Sequence, residues 1–149
     1  MDKAISLKEY VKRRNGLPLG ASGSLTNMLK RSLGAGSFQT FWRYWNPVWG
    51  YYLSRNVMRP LSRWLPAWLA VLATFVVSGA LHDLAASAIK REIIFVITPW
   101  FAVMGLAVLV TTKLGWNYAN YPWLGRASIN AFIVVASLLV SLFVSSSVV

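Results

Sequence analysis

The chain has no cysteine, one histidine and four acidic residues among its 149. Without cysteine there is no disulfide, no thiolate nucleophile and no cysteine-ligated metal. A single histidine does not furnish the ligand set of a usual zinc centre, so no metal site is expected. Charged residues of both signs make up only 13%, against about 25% in an ordinary soluble domain. Hydrophobic residues fill 56%. A chain this apolar reads as a membrane protein, and its length suits one domain. A signal-peptide pattern is also missing: Met1 to Tyr10 holds Asp2, Lys3, Lys8 and Glu9, and no apolar run follows.

The charge that remains is one-sided. Fifteen Lys and Arg against four acids give a net charge of +11. On an apolar chain, that excess points to an anionic membrane face or an anionic co-substrate. Nucleic acid is not expected. The basic residues of the first 37 positions are scattered, without the interleaved aromatics of single-strand binders.

Residues 1–37 form a polar, basic N-terminal region, and residues 38–149 a membrane domain. Positions 15–24, NGLPLGASGS, read as a loop rich in Gly, Ser and Pro. A short helix follows, with Ser24 as N-cap and Gly34 as its stop. Three apolar spans are expected at about 65–86, 93–112 and 128–149, each close to the length of a bilayer crossing. The connector KLGWNYANYPWLGR has the Trp, Tyr and Asn content of an interfacial loop. Eleven of the 15 basic residues precede the first span. The positive-inside rule then places the N-terminus in the cytoplasm. The expected fold class is therefore all-α, an integral membrane protein of about three transmembrane helices.

Between the basic region and the first span lies FWRYWNPVWGYYL, positions 41–53. Phe38, Trp42, Trp45, Trp49 and Tyr52 recur at steps of four and three, the spacing of one helical face. The segment 38–61 is expected to be an amphipathic interfacial or re-entrant helical piece, its rings at the membrane–water boundary. Pro47 removes a donor and disfavours helical backbone at Asn46. The helix should therefore break, ending near Trp45 and restarting at Pro47. Asn followed by Pro is also a good cap and first-turn pair. Arg43, Arg55, Arg59 and Arg63 suit lipid phosphates.

The first span ends in SGALHDL. It carries His82, with Asp83 beside it and Ser78 one turn earlier on the same face. Ionisable groups inside a span face a cavity or a partner more often than lipid. Counted from Leu65, His82 lies near the far end, where His82 and Asp83 can equally mark the headgroups. Ser78 is expected to bond its own helix backbone.

Taken together, the Phe-aromatic-Arg-x-Trp-Asn-Pro-Val block and Ser-Gly-x-x-His resemble the membrane-bound O-acyltransferase family. The likeness is nearest to its sterol and diacylglycerol acyltransferase branch and covers roughly positions 37–86. His82 follows Asn46 by 36 positions. The block lacks the family's acidic residue and has one aromatic fewer before the asparagine. Family members are several times longer, so this chain corresponds to a catalytic half.

The resemblance implies transfer of an acyl group from a thioester, such as acyl-CoA, to a hydroxyl of a lipid or similar acceptor. It implies His82 and Asn46 as catalytic residues, the histidine buried in a tunnel. Trp42, Arg43, Trp45, Trp49 and Ser78 would line the substrate path, with no bound cofactor. Membrane lipids and the acyl donor would be the partners, with a homo-oligomer or partner membrane subunit completing the tunnel. A bacterial inner membrane is the expected location. The alternative is a non-catalytic subunit that docks onto a larger complex. Ser137, Ser141, Ser145, Ser146 and Ser147 of the third span would then allow close helix approach.

Overall fold

The computed structural model describes residues 5–147, with side chains through position 144. Asp2, Lys3, the last two residues of the third expected span and the side chains of Ser145, Ser146 and Ser147 lie outside the described residues. All regular structure among the described residues is helical.

Helix α1 (Leu7–Asn15) starts at the cap residue Ser6, whose hydroxyl accepts from the Glu9 amide at 3.3 Å. It ends at Gly16, whose φ of 80° is the left-handed closure that glycine permits. Helix α2 (Ser24–Leu33) corrects one expectation. Gly23 holds the cap position at φ 77°, and Ser24 is the first helical residue. The Ser24 hydroxyl accepts instead from Asn15 Nδ2 at 2.7 Å. The Asn27 amide donates back to the Asn15 carbonyl, so the two helices are locked end to start. Gly34 closes α2 as expected.

The break at Asn46 is where the proline requires it. Helix α3 (Phe38–Tyr44) stops, and α4 (Pro47–Leu53) restarts. A π-helical turn (Ser54–Met58) and one turn of α5 (Arg59–Leu61) complete the segment. At 1.5 Å per residue, α3 and α4 are each about 10 Å long. Neither piece crosses a bilayer core of about 30 Å by itself.

The rings of α3 do not form an outward-facing belt. Phe38 and Phe41 are fully buried with Ala35 and Val108. Trp42 packs edge-on to Phe75 at 5.1 Å. The apolar stripe thus faces the protein's own long helices, and α3 is an internal wedge. Tyr52, by contrast, is 45% exposed.

Among the described residues, two helices are long and apolar enough to cross a membrane: α6 (Ala67–Lys90) and α8 (Trp123–Ser147), the latter through Val144. In each apolar window 22% of the residues are buried inside the protein. The expected span at 93–112 is α7 (Ile97–Lys113), a shorter apolar helix of 17 residues. Its first four expected residues belong to the α6–α7 connector. Helix α6 starts just after Pro66 and runs to Lys90, past the expected end at 86. His82 therefore has about 12 Å of helix beyond it at 1.5 Å per residue, and does not mark the end. Helix α8 likewise starts at Trp123, ahead of the expected 128.

One face of α6 builds the start of α7. Gly79 lets the helices touch: a Cβ there would lie 2.7 Å from Thr98 Cα and 2.9 Å from the Ile97 carbonyl oxygen. One turn on, Asp83 is buried and accepts from the Val96, Ile97 and Thr98 amides at 3.2, 2.9 and 2.7 Å. The Thr98 hydroxyl adds a fourth bond at 2.6 Å. These amides are donors a helix leaves unpaired at its N-terminus, where a carboxylate also meets the favourable end of the dipole. A further turn on, Ser87 Oγ accepts from the Ile94 amide at 2.8 Å.

At the other end, Asn130 of α8 is fully buried. Its amide donates to the Leu33 and Ala35 carbonyls at 2.8 and 2.9 Å, gripping the end of α2. Its oxygen accepts from the Tyr118 hydroxyl at 2.6 Å. Burial pushes the Tyr118 phenol up to about 12. The N-terminal region is thereby docked onto the long helices.

Candidate functional site

The site forms where α4 meets the middle of α6. Asn46 takes the left-handed conformation, φ 39° and ψ 70°, which asparagine tolerates better than most residues. Its Oδ1 accepts from the Trp49 amide at 3.2 Å, so it caps α4. Its Nδ2 has no hydrogen-bond partner among the described residues and remains available as a donor. The cap fixes the first turn of α4 and with it Trp49. The Trp49 indole N–H donates to the buried Ser78 hydroxyl at 2.9 Å, joining α4 to α6. The expected bond from Ser78 to its own helix is thus replaced by one that accepts from another helix.

His82 lies one turn beyond Ser78. Its Nδ1 is 2.7 Å from the Ser78 carbonyl oxygen. A carbonyl oxygen only accepts, so Nδ1 carries the proton. In the neutral ring, Nε2 then holds the free lone pair. The imidazole stands edge-on to Trp49 at 5.6 Å and tilted against Phe101 of α7 at 5.3 Å. These contacts set the ring's orientation.

A cavity of about 160 Å³ joins these groups, lined by Trp42, Trp45, Asn46, Trp49, Ser78 and His82 together with residues of α4, α6 and α7. The two residues expected to be catalytic thus border one space. Arg43 does not reach it. Arg43 is exposed and borders a wider groove of about 600 Å³ that shares Trp42, Gly50, Leu53, Thr74 and Phe75 with the His82 cavity. His82 is exposed and sits at the open side of its cavity, so this chain alone does not close the tunnel that a partner was expected to complete. The ring packs against Trp49 of α4 on one side and Phe101 of α7 on another, and no other ring contact to it is present among the described residues.

Trp42 adds a donor that sequence reading did not anticipate. Its indole nitrogen is buried and has no acceptor among the described residues. Such a group costs free energy unless something accepts from it. Phe101, Phe75 and Thr74 also line the cavity without having been singled out. They come from the interiors of two apolar helices, where periodicity does not separate a cavity wall from core.

Compared with protein-family models, curated proteins and solved structures, the chain matches none.

Proposed function

We propose that the protein is an integral membrane O-acyltransferase, moving an acyl group from a thioester donor such as acyl-CoA to a hydroxyl of a lipid or similar acceptor. The observation that carries this reading is that Asn46 and His82 share one cavity, with His82 Nδ1 bonded so that Nε2 is free.

In the proposed reaction, His82 Nε2 takes the proton of the acceptor hydroxyl as its oxygen attacks the thioester carbonyl carbon. The carbonyl π electrons move onto oxygen, where Asn46 Nδ2 donates a hydrogen bond to the developing negative charge. The intermediate collapses, the carbon–sulfur bond breaks, and the thiolate receives the proton from His82. No metal enters these steps. The cavity's 160 Å³ is below the roughly 300 Å³ of ordinary ligand pockets, so it suits the reacting ends alone. The adjoining apolar groove would hold the rest.

The membrane setting belongs to the same proposal. Helices α6 and α8 span, and α7, about 25 Å long at 1.5 Å per residue, is a third, shorter span. In this proposal the membrane is a bacterial inner membrane and the N-terminus is cytoplasmic, an orientation supported by the excess of basic residues before α6. With α6 starting on that side, His82 lies about 22 Å along the helix. The groove bordering Trp68 and Val71 of α6 would lead the donor inward to it.

One observation favours a second reading. The exposure of His82 leaves room for a partner membrane subunit or second copy against that face. A non-catalytic docking subunit would use the same opening.

The test compares cells expressing wild type, His82→Ala and Asn46→Ala at matched membrane levels, with lipid extracts examined by mass spectrometry. The acyltransferase reading expects an acylated species in wild type that His82→Ala abolishes. Equal lipid profiles, with an unchanged set of co-purifying membrane proteins, favour the docking subunit.

A further inference from the structure

A second cavity, of about 420 Å³, opens between α1, α4 and the turns that follow α4. Four arginines line it: Arg13 and Arg14 from α1, Arg55 from the π-helical turn, and Arg59 from α5. One acid is close. Glu9 pairs with Arg13 at 2.5 Å, an exposed pair on one helix. The other described acids are elsewhere, Asp83 on α6, where it caps α7, and Glu92 in the α6–α7 connector. Gathering four guanidinium groups around one carboxylate costs self-repulsion, which an anion would relieve.

Arg13 is paired with Glu9, whereas Arg14 and Arg55 are held by tyrosines. Arg14 lies over the Tyr10 ring at 5.1 Å. Arg55 donates to the Tyr51 hydroxyl at 2.8 Å, and that hydroxyl donates to the Ile5 carbonyl at 3.3 Å. Tyr10 and Tyr51 pack edge-on at 5.5 Å. Aromatic support orients the guanidinium groups without neutralising them, which leaves their forked donors for a ligand. Arg14 and Arg59 have no hydrogen-bond acceptor among the described residues. The π-helical turn that carries Arg55 is a rare element, often found at functional sites.

The cavity also has a direction. Tyr10, Arg14 and Ser54 are shared with the apolar groove of about 600 Å³ that continues to the His82 cavity. A cationic end followed by an apolar channel fits an amphiphile with an anionic head. Arginine forks match phosphate oxygens two at a time.

We infer that this arginine pocket binds the phosphate or diphosphate head of an amphiphilic ligand whose apolar part enters the groove toward His82. The site stands on its own residues and does not require His82 to be catalytic. Two sources carry the same chemistry, a phosphorylated lipid headgroup and a coenzyme A-type thioester.

The test uses the purified full chain in a neutral detergent, with binding followed by calorimetry. The probes are pyrophosphate, coenzyme A and a short-chain phosphatidic acid. Pyrophosphate should bind wild type and His82→Ala alike. The double variant Arg14→Gln/Arg55→Gln should weaken it by about tenfold to a hundredfold, the loss of two charge-assisted contacts. Lys90→Gln/Arg91→Gln, which removes the same charge at the far end of α6, should stay within about twofold. Arg55→Lys, which keeps the charge and loses the fork, guards against misfolding and should bind with intermediate strength. Coenzyme A binding more tightly than phosphatidic acid identifies the soluble donor, and the reverse order identifies a lipid head. Failure of pyrophosphate to bind, or equal weakening by the two double variants, overturns the inference. Intact pyrophosphate binding without any acyl transfer leaves this site standing and removes only the catalytic reading.

Discussion

Trp49 donates its indole N–H to the Ser78 hydroxyl at 2.9 Å, across 29 positions of sequence. This bond fixes the aromatic segment against the helix that carries His82. Trp49→Phe keeps a ring beside His82 and leaves the buried Ser78 hydroxyl without its donor. The expected loss is about 1–2 kcal/mol of stability, read as a lower thermal midpoint in detergent. The double variant with Ser78→Ala should be no worse than Trp49→Phe alone, because the two changes remove one interaction.

Asp83 and His82 are neighbours with separate duties. Asp83→Asn keeps the shape but gives up the charge and half the acceptors that hold the Val96, Ile97 and Thr98 amides. It should destabilise by about 2–4 kcal/mol. His82→Ala changes an exposed ring, and its cost should stay below about 1 kcal/mol. Thermal unfolding of the two variants side by side checks the contrast. A larger loss for His82→Ala would make the histidine the structural member of the pair.

Gly79 and Gly125 test close approach. Gly79→Ala forces a methyl to 2.7 Å from Thr98 Cα, which is backbone-bound and has little room to yield. It should cost at least about 2 kcal/mol or push α6 and α7 apart. Gly125→Ala, in the first turns of α8, meets nothing closer than 3.4 Å. It should be neutral or stabilising by up to about 1 kcal/mol, since alanine is the better helix former.

The Tyr118–Asn130 bond gives an alkaline signature. Burial raises the Tyr118 phenol from 10.0 to about 12, so the folded protein holds that proton more tightly than the unfolded chain. Its contribution is complete below pH 10 and is lost as pH rises through about 12. Tyr118→Phe should remove this part of the alkaline loss while lowering stability at neutral pH, because Asn130 loses its 2.6 Å donor. Unfolding midpoints taken from pH 8 to pH 12 check both signs.

Some of this architecture was legible in the sequence. Pro47 after Asn46 announced the helix break, because proline acts on its immediate neighbours through local sterics. Apolar length announced α6 and α8. What local patterns do not carry is the identity of a partner distant in sequence. Asp83 looked like a companion of His82 and instead caps α7. The aromatic stripe of α3 had the spacing of an interfacial face and turned inward, since periodicity marks an apolar face without saying what covers it. The exposure of His82 depends on which helices flank α6. The arginine pocket joins two stretches of chain, Arg13–Arg14 and Arg55–Arg59, which are about 40 positions apart in sequence. Among the residues expected to line the substrate path, Trp42, Trp45, Trp49 and Ser78 meet at one cavity, and Arg43 borders only the groove beside it.

The most direct measurement follows thiol release and acyl transfer together. Wild type, His82→Gln and Asn46→Ala would be reconstituted in lipid nanodiscs and supplied with an acyl-CoA and a hydroxylated-lipid extract. Wild type should release thiol in step with a new ester detected by mass spectrometry. His82→Gln, which keeps size and polarity but has no basic nitrogen, should slow both by about 10²–10⁴-fold, the usual contribution of a general base. Equal rates for wild type and His82→Gln, with both proteins folded, would contradict the assignment of His82 as the base.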